Sequence, residues 1–169
     1  MAKAGRPFLN ASRRRLETLD GTANKTMNTV TGDSSPQGGS AGTSIESGET
    51  YLITGDNDAE RTITLPPASK GAWVKIVFGV EQTGNDWIIQ TQDGEPLNGQ
   101  LFWFDVNTAD GSDNIVDTAA NLNGSTDEKI TIGNDIKSGT MLTFMSDGSE
   151  WYSLENQVIG SDGITVGVV

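Results

Sequence analysis

The feature that most constrains this chain is the stretch from Thr62 to Val80, which reads TITLPPASKGAWVKIVFGV. Two prolines stop a short strand that ends at Leu65, because proline lacks the ladder donor and is confined to strand ends and edges. Apolar residues then alternate from Ala72 to Val80, which is the period of a strand with one buried face. The stretch therefore predicts two strands joined by a turn that Gly71 closes.

Short period-two runs separated by turn residues make up the rest of the body. Hairpin signals occur at Asp93-Gly94 and Asp147-Gly148, since this dipeptide favours tight turns. The aromatic run from Leu97 to Asp105 is expected to be extended, with a bulge at Gly99. About nine or ten such runs lie about 8 to 12 residues apart. This spacing predicts an all-β fold, an antiparallel β-sandwich or a Greek-key barrel of jelly-roll type, with an extended N-terminal arm.

Charge divides the chain into two parts. Residues 1–30 carry six basic and two acidic side chains, a balance of +4. Because the net charge of the whole chain is −12, the remaining residues carry −16. Residues 21–48 are mostly small and polar, which predicts a flexible tether. We therefore expect a basic arm and tether over residues 1–48 and a β body over residues 49–169. The acidic body is expected to contact neither nucleic acid nor a membrane surface.

Two absences exclude several kinds of chemistry. The chain has no cysteine and no histidine, which excludes disulfides, Ser-His-Asp and Cys-His nucleophilic schemes and imidazole zinc sites. Nearly every carboxylate lies in a turn beside Gly or Asn, where turn chemistry accounts for it. No apolar run approaches the roughly 18 residues of a membrane span, and no secretory signal is expected. We expect no enzymatic activity and no cofactor.

Acidic loops and tryptophans are the remaining candidate sites in the body. The triplet Asp56-Asn57-Asp58 and the loop 106–127 carry oxygen ligands, but the calcium-loop pattern from Asp105 fails at Ala109 and Val116. We predict solvated turns and no metal site, and the loop, with one short strand near Ile115-Val116, is left open as an interface, a metal site or a surface excursion. We expect the four tryptophans to lie in the core or in a subunit interface, with a platform for stacking sugar rings as the alternative. They are Trp73, Trp87, Trp103 and Trp151.

The basic arm combines cations with large apolar side chains. Arginines pair with carboxylates, and apolar residues enter grooves, so such an arm is suited to ordering on a partner surface. A disordered terminus is the alternative. The residues expected to make these contacts are Arg6, Phe8, Leu9, Arg13, Arg14, Arg15 and Leu16.

Three stretches together resemble a β module of tailed-bacteriophage virion proteins: TITLPPASKGAWVKIVFGV, DWIIQTQDGEPLNG and GTMLTFMSDGSEWYSL. The resemblance covers roughly residues 49–155. Its marks are a Leu-Pro strand end at Leu65-Pro66, the turn glycine Gly71, an I-x-G-like segment, and a closing hairpin that ends at Trp151. Leu97 stands where isoleucine is usual, and the polar insertion at 106–127 departs from the pattern.

The resemblance implies a structural virion protein. Fibre proteins are usually longer and carry shaft repeats, so the resemblance is strongest to a capsid decoration, or cement, protein on the capsid exterior. It implies that the protein bridges capsomers, binds the major capsid protein and other virion proteins, and forms a homo-oligomer, with a trimer favoured. The arm residues would then bind the capsid. The alternatives are a fibre or host-adhesion module that binds cell-surface glycan, and a virion enzyme that cleaves glycan.

Overall fold

The computed structural model describes residues 27–30, 42–92, 94–105, 118–124, 127–160 and 164–167. These residues form twelve β-strands and no helix, so the all-β class predicted from the alternation is confirmed. The strands are β1 (Met27–Val30), β2 (Gly42–Ser44), β3 (Glu49–Ile53), β4 (Arg61–Thr64), β5 (Trp73–Phe78), β6 (Trp87–Gln90), β7 (Leu97–Asp105), β8 (Thr118–Leu122), β9 (Lys129–Ile132), β10 (Met141–Ser146), β11 (Trp151–Gly160) and β12 (Ile164–Gly167).

The strands form two sheets that enclose one core. Sheet A has seven strands in the order β1-β3-β5-β10-β11-β7-β8, and sheet B has five in the order β12-β9-β6-β4-β2. Buried side chains of both sheets form a single hydrophobic cluster. Across it, the rings of Phe78 in sheet A and Trp87 in sheet B meet edge to face, with centroids 5.6 Å apart. The architecture is a β-sandwich, as predicted.

In its first half the chain passes back and forth between the sheets. Strands β1, β3 and β5 lie in sheet A, and β2, β4 and β6 lie in sheet B. Neighbours within each triplet are parallel, so successive strand pairs stack like the coils of a β-solenoid. The predicted antiparallel pairing is wrong for these strands and also for β7 and β11, which pair in parallel. It holds for the other pairs, so both sheets are mixed. Alternation identifies the buried face of a strand but not its hydrogen-bonded partner.

Antiparallel pairing dominates around β10. This strand lies between β5 and β11 and is antiparallel to both. The hairpin predicted at Asp147-Gly148 joins β10 to β11, with a four-residue loop between the paired residues Ser146 and Trp151. No hairpin forms at the Asp-Gly signal near residue 94, because β6 lies in sheet B and β7 in sheet A. The chain crosses the sandwich there instead of turning back.

The segment from Leu65 to Gly71 caps one end of the sandwich. Gly71 has a φ of 80°, a left-handed conformation that favours glycine, and its amide donates to the carbonyl of Ser146 at 2.9 Å. The carboxylate of Glu95 accepts the amide of Ala68 at 2.9 Å and the indole N–H of Trp151 at 3.3 Å. The segment that follows the Leu-Pro end of β4 is therefore hydrogen-bonded both to the β10–β11 hairpin and to the chain between β6 and β7.

A bulge interrupts β11. Between Leu142 and Phe144 of β10 the register on β11 advances from Asn156 to Ser153, one residue more than on β10. The pairing with β7 shows the same extra residue, because β11 spans 153–158 where β7 spans 99–103. The bulge thus lies in β11 at 154–155, opposite the segment that follows Gly99, whereas the sequence placed it at Gly99 itself. The side-chain amide of Asn156 donates to the carbonyl of Gln100 at 2.8 Å and supports the interrupted ladder.

The sandwich includes residues before position 49. Strands β1 and β2 lie within the predicted arm and tether and form one edge of each sheet, and Ile45 is only 2% exposed in the core. Residues 1–26 and 31–41 lie outside the described residues. Residues 106–117 do as well, including the strand predicted near Ile115-Val116; the strand described in this region, β8, begins at Thr118.

The buried side chain of Gln82 is hydrogen-bonded to Trp87, one of the two rings in the contact between the sheets. Gln82 is fully buried, and its side-chain oxygen accepts the indole N–H of Trp87 at 2.9 Å while its nitrogen donates to the carbonyl of Gly55 at 3.0 Å. A buried indole N–H needs such a partner, because an unpaired buried donor loses its hydration without compensation. Gln82 therefore allows a tryptophan to occupy this core position.

We predict that Gln82→Met lowers the free energy of unfolding by about 3 kcal/mol, because it leaves a buried N–H and a carbonyl without partners. Urea unfolding followed by tryptophan fluorescence measures this. The control is the same substitution in a Trp87→Phe background, which has no indole N–H and should therefore lose less. Equal losses in the two backgrounds would contradict the assigned role of the hydrogen bond.

Candidate interaction surface

The outward positions of sheet A follow from the strand register. Burial alternates along β5, so Trp73, Lys75 and Val77 point away from the core. Lys75 pairs with Thr50 of β3 and with Thr143 of β10. Because directly paired residues lie on the same side of a sheet, the outward positions continue across the neighbouring strands.

Most of these outward positions are apolar or aromatic. We call the following residues the apolar face: Leu52, Trp73, Val77, Phe102, Phe104, Met141, Met145, Tyr152, Leu154 and Ile159. Within it Phe102, Met145 and Leu154 are 42%, 44% and 51% exposed. Soluble monomers rarely expose large contiguous apolar patches, and those that do occur mark binding sites. The apolar face is therefore the candidate interaction surface.

The outer face of sheet B is different. Its outward positions on β4, β6 and β9 are mostly polar, and they are Thr62, Thr64, Ile88, Gln90, Lys129 and Thr131. Such alternation of apolar inward and polar outward residues is typical of a sheet with one face in water. The two outer faces of the same sandwich are thus chemically distinct, and only the outer face of sheet A, among the described residues, has the composition of a covered surface.

Charge is nearly absent from the apolar face, although the protein carries a net charge of −12. Among the described outward positions of β3, β5, β7 and β10, Lys75 alone is charged. On β11 the bulge adds Glu155, which is exposed. Neither side chain forms a salt bridge with another described residue. The surface thus holds one cation and one anion, on opposite sides of β10.

The β10–β11 hairpin forms an acidic rim beside the face. Asp147 accepts hydrogen bonds from the amides of Ser149 and Glu150 and from the Ser149 hydroxyl, and these bonds lower the pKa of Asp147 to about 2. The phenol of Tyr152 donates to Asp147 at 3.3 Å and to Glu150 at 3.2 Å. Removal from water, with smaller effects of these carboxylates, raises the pKa of Tyr152, so the phenol stays a neutral donor at the rim.

The acidic triplet that the sequence singled out as a calcium candidate is occupied by internal contacts. The hydroxyl and amide of Thr83 donate to Asp56 at 2.7 and 2.8 Å, and they lower the pKa of Asp56. Asn57 is buried and donates to the carbonyl of Asn85 at 2.7 Å. Asp58 forms a salt bridge with Arg61. Within the described part of the chain, no group of three acidic side chains is arranged to hold a metal ion.

The tryptophans divide between core and surface. Trp87 and Trp151 are 1% and 0% exposed, so the core interpretation is confirmed for these two, and a sugar platform of four tryptophans is excluded. Trp103 is half-buried and donates its indole N–H to the carbonyl of Gly160 at 2.9 Å. Trp73 is half-buried on the apolar face. It is the one tryptophan of the four whose strand position directs it outward.

The arm residues predicted to bind a partner lie outside the described residues: Arg6, Phe8, Leu9, Arg13, Arg14, Arg15 and Leu16. The sequence reasoning missed the apolar face. Its signal is present in β10, where Met141 and Met145 alternate with the buried Leu142 and Phe144. A strand with apolar residues on both of its faces is typical of a strand that is covered on both sides.

No protein-family model matches this chain, and no curated protein matches it in sequence. None of the residues that the structure describes forms a helix long and apolar enough to span a membrane.

We predict that two threonines near the face respond oppositely to valine. The hydroxyl of Thr143 is buried without a hydrogen-bond partner among the described residues, so Thr143→Val should leave the free energy of unfolding unchanged or raise it by up to about 1 kcal/mol. The matched control is Thr140, whose hydroxyl accepts the amide of Ile159 at 2.9 Å. Thr140→Val should lose about 1 to 3 kcal/mol in the same urea titration. Equal losses would contradict this difference.

Asp147 predicts a pH dependence of folding. Because folding lowers the pKa of Asp147 from 3.8 to about 2, its carboxylate stabilises the hairpin fully above pH 3.8 and loses this effect as the pH falls towards 2. The difference in unfolding free energy between the wild type and Asp147→Asn should therefore shrink over that window. Denaturant unfolding at several pH values measures it. A difference that stays constant from pH 5 to pH 2 would refute the assignment.

Proposed function

We propose that this chain is a structural virion protein of a tailed phage that decorates the capsid and stabilises it by bridging capsomers. The observation that carries the proposal is the apolar face, a nearly uncharged sheet surface on a strongly acidic sandwich. Surfaces of this kind are typical of subunits in larger assemblies. The resemblance of residues 49–155 to virion β modules suggests that this assembly is a phage particle.

The N-terminal arm is the proposed anchor. Its residues precede β1, which is an edge strand of sheet A. Arginines at 13, 14 and 15 are suited to pairing with carboxylates of the major capsid protein. Phe8, Leu9 and Leu16 would enter an apolar groove of the shell, as such residues do when a segment orders on binding.

The acidic body is suited to the capsid exterior. The −16 carried outside residues 1–30 disfavours contact with packaged nucleic acid and keeps particles dispersed by mutual repulsion. A sandwich whose twelve described strands share one core is also a compact body for bridging neighbouring subunits. The protein therefore needs no catalytic chemistry to act as proposed.

A host-adhesion module that binds glycan is the second candidate function. Trp73 and Tyr152 favour it, because they pair with Met145 from its two sides and so lie on one row of the apolar face. Aromatic rings on a sheet face offer a stacking surface for sugar rings. This candidate locates the chain in the tail or fibre and not in the head.

We predict that immunogold labelling of purified virions with an antibody against this chain decorates the head. The exterior location follows from the acidic body and from the shell-binding arm. Label confined to the tail fibres, with binding to a glycan array that Trp73→Ala removes, would replace the proposal with the adhesion module. Virions without label would overturn both.

The arm is tested separately in the full-length chain. Arg14→Ala combined with Arg15→Ala should reduce occupancy on purified capsids at least about tenfold, because each arginine contributes charge-assisted hydrogen bonds. The control, Lys70→Ala combined with Lys129→Ala, makes the same change in net charge on the body and should bind normally. Equal loss in both variants would show that overall charge, and not the arm, sets the affinity.

A further inference from the structure

We propose that the apolar face binds the same face of a second copy of this chain, about a two-fold axis that runs parallel to β10. The inference rests on the proposed function only in treating this face as an assembly surface. It names the partner of the face, whereas the arm remains the contact with the shell.

Charge favours a second copy on this surface. Two chains that each carry −12 repel each other wherever carboxylates meet, because like charges brought together at an interface are unfavourable. The described outward positions of sheet A hold only Lys75 and Glu155 as charged residues. Within the apolar face two copies therefore meet without opposing carboxylates, and apolar side chains at its centre lose their water contact on association. An axis parallel to β10 brings the exposed acidic rims of the two hairpins to the same end of the contact, where salt screens their repulsion.

The register of the two charged residues fits a two-fold contact. Lys75 pairs directly with Thr143 of β10. On the other side of β10, Thr143 lies level with the bulge of β11, because its neighbours Leu142 and Phe144 pair with Asn156 and Ser153. The bulge is formed by Leu154 and Glu155. Lys75 and Glu155 therefore stand at the same height on either side of the central strand.

A two-fold axis along β10 exchanges these two sides. Lys75 of each copy then faces the bulge of the other, so that two reciprocal Lys75–Glu155 pairs form, as an isologous contact requires. The same operation brings Trp73 of β5 towards Tyr152 on β11 of the second copy, since both residues pair with Met145. Sheets packed this way keep their strands aligned to within about 30°, as in other sandwich interfaces.

The size of the face predicts a weak dimer. Five strands at about 4.8 Å spacing and five to six residues of height cover roughly 24 by 18 Å. Two copies therefore bury on the order of 1,000 Å², which is close to the lower limit of specific interfaces. We expect association that depends on concentration and not an obligate dimer.

Sedimentation equilibrium of the full chain tests the proposal. The apparent mass should rise from the 17.9 kDa monomer to twice that value between about 1 μM and about 1 mM. Leu154→Asp should keep the chain monomeric over this range. Thr62→Glu, which adds the same charge to the outer face of sheet B, should associate like the wild type. A cooperative urea-unfolding transition with the wild-type slope shows that each variant is folded.

A charge exchange tests the register. Lys75→Glu and Glu155→Lys should each raise the dissociation constant about tenfold or more, because each opposes like charges twice. The double variant should return to within about threefold of the wild type. If the double variant is as weak as the single ones, the proposed axis is wrong. A trimer mass, a monomer at every concentration, or equal effects of Leu154→Asp and Thr62→Glu would overturn the proposal.

These outcomes are separable from those of the proposed function. A chain that stays monomeric in solution and still labels phage heads refutes the second copy as the partner and leaves the decoration role intact. A chain that dimerises as predicted but is missing from virions refutes the decoration role and leaves the dimer intact.

Discussion

The contact between β5 and β6 across the core is the interaction on which the rest of the sandwich depends. Strand β5 is parallel to β3 on one side and antiparallel to β10 on the other, so it joins the coiled first half of the chain to the hairpin of the second half. Its last residue, Phe78, meets Trp87 of sheet B edge to face, and Gln82 satisfies the indole N–H of that tryptophan. Loss of this contact would weaken the packing of the two sheets at the point where both change from parallel to antiparallel pairing, β5 with β10 and β6 with β9. The inward side of β5 therefore stabilises the fold, while its outward side contributes Trp73, Lys75 and Val77 to the surface.

The sequence predicted the strands better than their pairing. The alternation over 72–78 identified the inward residues of β5 correctly, because burial of one face imposes a period of two whatever the neighbouring strand is. Val80 followed the same pattern but lies beyond the end of the strand and is only half-buried. The hairpin predicted at Asp147 is present, whereas the same Asp-Gly signal near residue 94 does not produce a hairpin. In the second case the chain leaves β6 of sheet B beside Leu65, whose amide donates to the carbonyl of Gln90, and reaches sheet A at Pro96, whose carbonyl accepts the amide of Trp151 at 2.9 Å. A turn signal shows where the chain bends, but the partner strand depends on contacts between distant residues.

The candidate surface was harder to predict, since its residues are scattered over five strands and meet only when the register is known. Charge drew attention to the basic arm, which is the strongest local signal in the sequence. The apolar face has no local signal of comparable strength: Phe102 reads as part of an aromatic core strand, and Leu154 follows a hairpin that accounts for its neighbours. Two observations together distinguish a covered surface from an ordinary one. Strands of sheet A such as β10 are apolar on both faces, whereas the outer face of sheet B is polar. That comparison requires the assignment of strands to sheets, which the period-two pattern does not contain.

The bulge in β11 connects the packing of the core to the chemistry of the surface. Without the extra residue, Trp151 and Val158 could not both point inward, because seven positions apart they fall on opposite faces of a regular strand. The bulge restores the inward direction for Val158, which is 1% exposed, and it does so by turning Leu154 and Glu155 outward beside Thr143. The same local irregularity therefore completes the core at one end of β11 and sets an apolar group and an anion on the outer face, level with Lys75. If the apolar face is a contact between two copies, its charge pattern is a consequence of how the core is closed, and removing the bulge would disturb both together.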